Sequence, residues 1–123
     1  MKHSNLTSDI LGCAMKVHSK LGPGLLESAY RTCLAHELRK NGFLVQEEVM
    51  LPITYDSIEL DHGYRIDIIV NEVVIIELKV VENILDVHEA QLLTYLKFAE
   101  KPVGLLLNFN VKSLKQGIKR FVM

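Results

Sequence analysis

Three ionisable side chains, Asp67, Glu77 and Lys79, stand among Ile, Val and Leu in the segment YRIDIIVNEVVIIELKVV, residues 64–81. The segment has the apolar, β-branched composition of two strands. A charged group in an apolar setting costs several kcal/mol unless it is paired or bound to a metal. The three side chains therefore need partners, and two neighbouring carboxylates need a cation.

Two carboxylates and a lysine form a chemically complete set for hydrolysing a phosphodiester. A hard divalent cation such as Mg²⁺ binds through one or two carboxylates and keeps several waters. The ion makes a bound water more acidic and offsets the charge that develops on a phosphate. A lysine beside the ion can orient that water or stabilise the pentavalent phosphorus. The structural alternative is a salt-bridge cluster on a solvated sheet face.

The register of the two strands decides whether the two carboxylates meet. Glu77 and Lys79 are two residues apart on one strand, so they share a face. A two-residue turn would pair Asp67 with Ile76, which points to the other face. A three-residue connection, Asn71–Val73, pairs Asp67 with Glu77 instead. A shift of one residue reverses every side chain, and we predict the three-residue connection.

Two helices are predicted before the strands. Thr7 or Ser8 would cap the first helix, whose apolar residues recur at helical spacing. The GPG sequence at 22–24 would break or bend it. The second helix would cover residues 25–40, with Gly42 as a natural stop.

The rest of the chain alternates between strand-like and helical patterns. Asp86 and Glu89 have the spacing of a capping box at the start of the third helix. The element order α-β-β-β-α-β predicts an α/β fold with one mixed sheet flanked by helices. The segments are an extended region over 43–55, a turn with a short return strand over 56–63, the hairpin, a helix over 86–101, a buried strand over 102–109 and a basic tail over 110–123 that fits either helix or strand.

Length and composition set limits on the function. A chain of 123 residues, 49% hydrophobic and 24% charged, suits one globular domain over residues 1–123. The sequence shows neither a membrane-spanning apolar run nor a signal-peptide core, so we expect a cytoplasmic protein. Cys13 and Cys33 lack metal-ligand spacing and are expected to be reduced. The net charge of −1 means that any contact with nucleic acid must be local.

Four motifs resemble those of the PD-(D/E)XK nuclease superfamily, and they stand in the order and on the element types expected for it. The pattern D-x₉-E-x-K spans Asp67 to Lys79. The segment GPGLLE, residues 22–27, resembles the G-x₄-E motif of the RecB-like branch, and QLLTY, residues 91–95, resembles its Q-x₃-Y motif. The segment GLLESAY, residues 24–30, is similar to the signature of the small GxxExxY proteins. The resemblance covers nearly the whole chain, although Ile66 replaces the proline of the name motif.

The resemblance implies a restriction-endonuclease-like core and a set of metal ligands. Asp67 and Glu77 would bind Mg²⁺ or Mn²⁺, with the backbone carbonyl of Leu78 as a third ligand. Lys79 would assist the attacking water.

The same resemblance implies three further catalytic residues. Glu27 would reach the metal directly or through water. Gln91 and Tyr95 are four residues apart on one helix face, so both can point at the site. Each has a structural alternative, with Glu27 and Gln91 on the helix surface and Tyr95 in the core.

Other polar residues are interpreted as structural. We expect His18 and His36 to have structural roles on their helices and His88 to be a surface residue or a cap. The basic residues of the tail form either a solvated surface or a phosphate-backbone contact. They are Lys112, Lys115, Lys119 and Arg120.

Three hypotheses for the function stay open. The first is a metal-dependent nuclease-like protein that hydrolyses nucleic acid, with DNA as the first expected substrate. The second is a non-catalytic module of the same fold that binds nucleic acid or a protein partner. The third is a subunit that needs a partner protein, or a second copy of itself, to hold DNA. No membrane partner is expected.

Overall fold

The computed structural model describes residues 3–123, and its first helix begins earlier than the sequence predicts. Helix α1 covers Ser4–Leu21, with His3 as its N-cap. The prediction of a cap at Thr7 or Ser8 is therefore wrong. Leu6 packs against the core, which extends the helix by a turn, and the hydroxyl of the buried Thr7 donates to the His3 carbonyl at 2.9 Å.

The GPG segment separates α1 from α2, which covers Glu27–Lys40. Gly22 has φ of 68°, in the left-handed region that glycine tolerates best, so the helix ends there as predicted. Leu26 is extended, with ψ of 149°, and α2 therefore starts two residues later than the pattern suggests. As a result, Glu27 occupies the first position of its helix.

A mixed sheet of five strands lies at the centre of the fold, in the order β1-β4-β5-β6-β7. Strands β5 and β6 are parallel, and the other neighbours are antiparallel. Helix α3 connects β5 to β6, and β2 and β3 form a separate hairpin, which confirms the short return strand. The elements are β1 (Val45–Met50), β2 (Ile53–Tyr55), β3 (Ile58–Leu60), β4 (Arg65–Val70), β5 (Val74–Lys79), α3 (Asp86–Ala99), β6 (Val103–Asn108) and β7 (Ile118–Val122).

The sheet separates two apolar clusters. Ile76 and Leu78 of β5 belong to the cluster that contains the buried side chains of α1 and α2. Ile75 belongs to the other cluster, together with Leu92 and Leu96 of α3. Because side chains alternate along a strand, Glu77 and Lys79 share the face of Ile75. The polar residues of β5 thus continue the face that α3 covers.

The start of α3 differs from its prediction. The N-cap is Leu85, and its N–H donates to Nδ1 of His88 at 3.0 Å. The predicted capping box of Asp86 and Glu89 is wrong, because the Glu89 carboxylate pairs with Lys119 at 2.7 Å. His88 is therefore a cap, one of the two structural roles expected for it.

The basic tail resolves into a 3₁₀ turn at Leu114–Gly117 followed by strand β7. Gly117 lies directly under the main chain of β6, since a Cβ at this position would stand 2.2 Å from the carbonyl oxygen of Asn108. The tail is thus part of the sheet. Within residues 3–123, no helix combines the length and the apolar character needed to cross a bilayer.

Candidate functional site

The β4–β5 hairpin has the register that brings the two acidic residues together. Val70 pairs with Val74 and Ile68 with Ile76, which leaves Asn71–Val73 as the three-residue connection. This confirms the predicted register. Asn71 and Glu72 have φ of 52° and 56°, so two left-handed residues make the tight turn.

The ladder between β4 and β5 opens at Asp67 and Glu77, the next residues in register. There, side chains replace main-chain partners. The N–H of Asp67 donates to Oε1 of Glu77 at 3.2 Å, and the N–H of Leu78 donates to Oδ2 of Asp67 at 2.9 Å. Each carboxylate is thus fixed by the opposite strand through one of its oxygens. The two carboxyl groups stand side by side at the open end of the hairpin.

Burial makes both carboxyl groups reluctant to ionise. Desolvation, and then the charge of Asp67, raise the pKa of Glu77 to about 8, against the opposing effects of the Asp67 N–H and the Lys79 ammonium. Desolvation also raises the pKa of Asp67, although the Leu78 N–H and Lys79 oppose it. Within residues 3–123, neither carboxylate takes part in a salt bridge. A cation bound between them would remove this penalty.

The donor atoms fit a hard divalent cation. Two carboxylates and a nearby main-chain carbonyl, that of Leu78, are the oxygen ligands that Mg²⁺ and Mn²⁺ prefer. In the part of the chain that the structure describes, no group of three or more His, Cys, Asp or Glu side chains is arranged to hold an ion.

Glu27 stands at the start of α2, within electrostatic range of the hairpin. Its side chain is exposed, as the structural alternative predicts. Desolvation, and then the charge of Asp67, nevertheless raise its pKa, against the opposing charges of Lys79 and Arg31. The structure therefore brings the acidic residue of the GPGLLE motif to the same place as the D-x₉-E-x-K residues.

Tyr30 holds the turn that carries Glu27. Its hydroxyl donates to the carbonyl of Gly22 and accepts the N–H of Leu25 at 3.1 Å. Its ring is fully buried and stacks on Phe109, with centroids 4.6 Å apart. The tyrosine of the GLLESAY segment thus positions the first turn of α2. This role was not predicted, although the spacing of Tyr30 from Glu27 is visible in the sequence.

Lys79 ends β5, and the main chain around it is held by β6. Its carbonyl accepts the N–H of Phe109 at 2.9 Å. The buried amide of Asn108 donates to the carbonyl of Val81 at 2.9 Å and accepts the N–H of Val81 at 3.2 Å. Asn108 therefore fixes the chain just after Lys79. Its role was not predicted, and the signal that could have revealed it is a polar residue near the end of an apolar strand.

Helix α3 brings Tyr95 beside the carboxylates. Tyr95 is buried, and its pKa is raised first by desolvation and then by the charges of Glu77 and Asp67. The backbone of Arg65 opposes this rise. Gln91 lies one helical turn before Tyr95 and is half-buried.

Two charged residues near the site were not predicted from the sequence. Arg31 follows Glu27 by one helical turn, and its charge lowers the pKa of both Glu27 and Asp67. Glu48 lies opposite Asp67 in the β1–β4 register, and its charge raises the pKa of Asp67. The Arg31 guanidinium is 3.7 Å from Glu48 and 3.8 Å from Glu47. Nothing in the sequence links α2 to β1 in this way.

The predictions for the histidine and lysine residues outside the site agree only partly with the structure. His18 is buried, with Nε2 3.1 Å from the carbonyl oxygen of Phe109, which is a structural role as expected, whereas His36 is exposed on α2. Lys119 pairs with Glu89, and Lys112 and Lys115 line a shallow cavity beside the end of α1. The tail is therefore only partly a free basic surface.

Comparison with known proteins gives one match. No curated protein and no solved structure matches the chain. The model of one family, described as the PD-(D/E)XK nuclease superfamily, matches residues 4–121. This range contains both helices that precede the sheet, the hairpin with Asp67 and Glu77, and α3 with Tyr95. The chain therefore belongs to the PD-(D/E)XK nuclease superfamily.

Proposed function

We propose that the chain is a metal-dependent nuclease, a single domain over residues 1–123 that hydrolyses phosphodiester bonds of nucleic acid, with DNA as the first expected substrate. The observation that carries the proposal is the pair of buried carboxylates, Asp67 and Glu77, each fixed by a main-chain N–H of the opposite strand and neither in a salt bridge within residues 3–123. A purely structural pair would be expected to have a protein cation as partner.

Asp67, Glu77 and the Leu78 carbonyl would hold Mg²⁺ or Mn²⁺. When bound, such an ion supplies Lewis-acid stabilisation of the phosphate and a water of lowered pKa. Lys79 shares the face of Glu77 and lowers the pKa of both carboxyl groups by its charge. We assign its ammonium group the roles of orienting the attacking water and offsetting charge on the phosphate.

Three further residues complete the proposed site. Glu27 accepts a proton or a hydrogen bond from water beside Asp67, which is consistent with its raised pKa. Gln91, on the same face of α3 as Tyr95, offers an amide donor to a phosphate oxygen. Tyr95 is buried on α3, and the charge of Glu77 acts on its pKa, so we assign it the role of shielding Glu77 from water. The segment GLLESAY supports membership of the GxxExxY group, since its glutamate and tyrosine both act at this corner.

The charge balance of the site favours a metal-dependent reaction. Four carboxylates face two protein cations, so two negative charges are unmatched when all are ionised, and a phosphodiester would be repelled. One divalent cation balances them. The six groups are Glu27, Glu48, Asp67, Glu77, Arg31 and Lys79.

A cleavage assay tests the proposal. The purified protein is incubated with single- and double-stranded DNA and RNA, with Mg²⁺ or Mn²⁺ and with a chelator. We expect cleavage only with the metal, and a loss of about 100- to 1000-fold in Lys79→Ala, the size seen when one electrostatic group of a site is removed. The variant should stay folded, since a half-exposed lysine contributes within about 1 kcal/mol.

The control is Lys20→Ala, which removes a solvent-exposed lysine from α1. It should cleave as the parent does. Undiminished cleavage by Lys79→Ala would exclude this site as the source of the activity. Metal binding without cleavage of any substrate, even with cell extract added to supply a partner, would favour the non-catalytic binding module instead.

A further inference from the structure

Arg31 is a cation near Asp67 and Glu77, and the proposed reaction assigns it no role. It follows Glu27 by four residues on α2, so the two side chains share a helix face. Its charge acts on both Glu27 and Asp67. The side chain is only 20% exposed, so the guanidinium is largely withdrawn from bulk water.

The guanidinium of Arg31 is held by charge but is poorly hydrogen-bonded. Its Nε is buried and has no hydrogen-bond partner. No other buried side-chain nitrogen or oxygen of the described residues lacks a partner. Nε is 3.8 Å from Oε1 of Glu47 and Nη1 is 3.7 Å from Oε1 of Glu48. Both distances are too long for an N–H···O hydrogen bond. Buried donors are normally satisfied, so this group points to a missing acceptor.

Arg39 shows how a structural arginine on the same helix is bound. Its Nη1 donates to Oε2 of Glu47 at 2.8 Å, and its Nη2 donates to the carbonyl of Val45 at 2.9 Å. Glu47 is therefore committed to Arg39 through a short ion pair. Arg31 has only long contacts, one with the other oxygen of the Glu47 carboxylate and one with Glu48, so its guanidinium makes no close ion pair.

The backbone of β1 is distorted where it faces Arg31. Glu48 has φ of 49°, a left-handed conformation inside a strand. Such a conformation is unfavourable for a residue with a side chain and persists where the surroundings impose it, often at functional sites. Glu48 lies opposite Asp67 in the β1–β4 register, and its Oε1 is 3.7 Å from Nη1 of Arg31. The carboxylates of β1 thus hold the guanidinium beside the site by charge, without forming hydrogen bonds to it.

We propose that Arg31 binds a non-bridging phosphate oxygen of the nucleic-acid backbone next to Asp67 and Glu77. The planar guanidinium offers donors in a fork that matches a phosphate, whereas the Lys79 ammonium is a point charge. A contact between Arg31 and a phosphate would position the nucleic-acid backbone and carry no base specificity. This inference rests on the proposed function only in that the site receives a phosphodiester.

Binding in a cleavage-deficient background tests the inference. In Lys79→Ala protein with Mg²⁺, fluorescence anisotropy measures the Kd of a labelled DNA oligonucleotide over a series of salt concentrations. We expect Arg31→Gln to weaken binding about tenfold and to reduce the slope of log K against log salt by about 0.7 to 0.9, the value for one lost phosphate contact. Arg39→Gln, which removes the other cation bound to Glu47, should change neither.

Three results would overturn the inference. They are an Arg31→Gln variant with the Kd and slope of the parent, equal losses in Arg31→Gln and Arg39→Gln, and a parent that binds no oligonucleotide with Mg²⁺ present. If Arg31→Gln does not fold, Arg31→Lys decides, because it keeps the charge and removes the fork. It should bind several-fold more weakly, and an unchanged Kd would overturn the fork contact.

The inference and the nuclease proposal fail separately. If the wild-type protein binds DNA through Arg31 but cleaves nothing, the nuclease proposal is contradicted and the phosphate contact of Arg31 is supported. If Lys79→Ala abolishes metal-dependent cleavage but Arg31→Gln leaves the Kd for DNA unchanged, the nuclease proposal is supported and the phosphate contact of Arg31 is contradicted.

Discussion

In the metal-free protein at neutral pH, the buried carboxyl group of Glu77 keeps its proton, since its pKa is raised to about 8. In the unfolded chain a glutamate titrates near its ordinary pKa of about 4.3. The folded state therefore binds the proton more tightly than the unfolded state. The stability that this group contributes is fully present below the unfolded pKa and is lost as the pH rises through the folded one.

The metal-free protein should thus become less stable between about pH 5 and pH 8, with Glu77 contributing up to about 1.4 kcal/mol per pH unit to the fall in the free energy of unfolding. Glu77→Gln should flatten this slope, because the amide does not titrate. Urea unfolding at several pH values in a chelator measures it. The exposed Glu59→Gln serves as the control and should keep the parent slope. Parallel slopes in the parent and Glu77→Gln would contradict the raised pKa.

At the scale of the elements, the parts set by local sequence were predictable and the parts set by distant contacts were not. The hairpin register followed from the requirement that Asp67 and Glu77 share a face. The helix stop at Gly22 followed from the freedom of glycine to adopt a left-handed backbone. The capping box failed because Lys119, thirty residues away, takes the Glu89 carboxylate.

The site was predictable only in part, for the same physical reason. The residues on the hairpin carried a visible pattern of charge among apolar neighbours. Arg31 meets Glu48 only when α2 packs near β1, and the left-handed backbone of Glu48 has no mark in the sequence. Asn108 acts through Val81, which is 27 residues away. No local pattern records these contacts.

Tyr30→Phe should disturb Glu27 while leaving the core in place. The change removes the hydroxyl that bonds to Gly22 and Leu25 but keeps the ring on Phe109. We expect a loss of about 1 to 3 kcal/mol in the free energy of unfolding, because the polar groups lose a buried partner. Cleavage should fall as well, since the first turn of α2 loosens.

Urea unfolding and cleavage rates measure the two effects of Tyr30→Phe. Tyr55→Phe is the matched control, because Tyr55 is 68% exposed on β2 and should change neither. A Tyr30→Phe variant with the stability of the parent would show that the hydroxyl does not hold the turn.

Gly104 determines how closely α3 approaches β6. A Cβ at this position would lie 3.0 Å from Cδ1 of both Leu92 and Leu96, which are fully buried. Gly104→Val should therefore destabilise the fold by about 1 to 3 kcal/mol through overpacking. It should also lower cleavage, because α3 carries Tyr95 and Gln91.

Gly12→Ala provides the opposite result for comparison. Gly12 lies inside α1, and a Cβ added there would have nothing within 4 Å, so alanine should stabilise the helix by about 0.5 to 1 kcal/mol. Thermal unfolding of both variants tests the pair. A Gly104→Val variant as stable as the parent would mean that α3 moves outward without cost.

At the scale of the whole molecule, folding and ion binding are linked. The chain carries 14 basic and 15 acidic residues, so its overall charge neither attracts nor repels a cation strongly. A divalent ion that binds only the folded state stabilises it by about 2.7 kcal/mol at 100 times its Kd. The melting temperature should rise with Mg²⁺ or Mn²⁺ at pH 8, where Glu77 ionises more readily.

The rise in melting temperature should shrink in Asp67→Asn and in Glu77→Gln, because each variant removes one proposed ligand. Glu59→Gln, on the separate β2–β3 hairpin, should keep the full rise. Equal shifts in the parent and in both site variants would place the ion elsewhere. Differential scanning fluorimetry with a titration of each metal makes the comparison.

The crossed hydrogen bonds of the hairpin also bear on how such a site can change over evolution. Asp67 and Glu77 each tie down a main-chain N–H of the opposite strand. An oxygen at either position therefore has a structural value that does not depend on hydrolysis. Asparagine and glutamine would keep that oxygen while removing the charge. Where a relative with the proposed activity loses it, these amides are the substitutions expected first, because they keep the hairpin while removing the charge that would bind a metal.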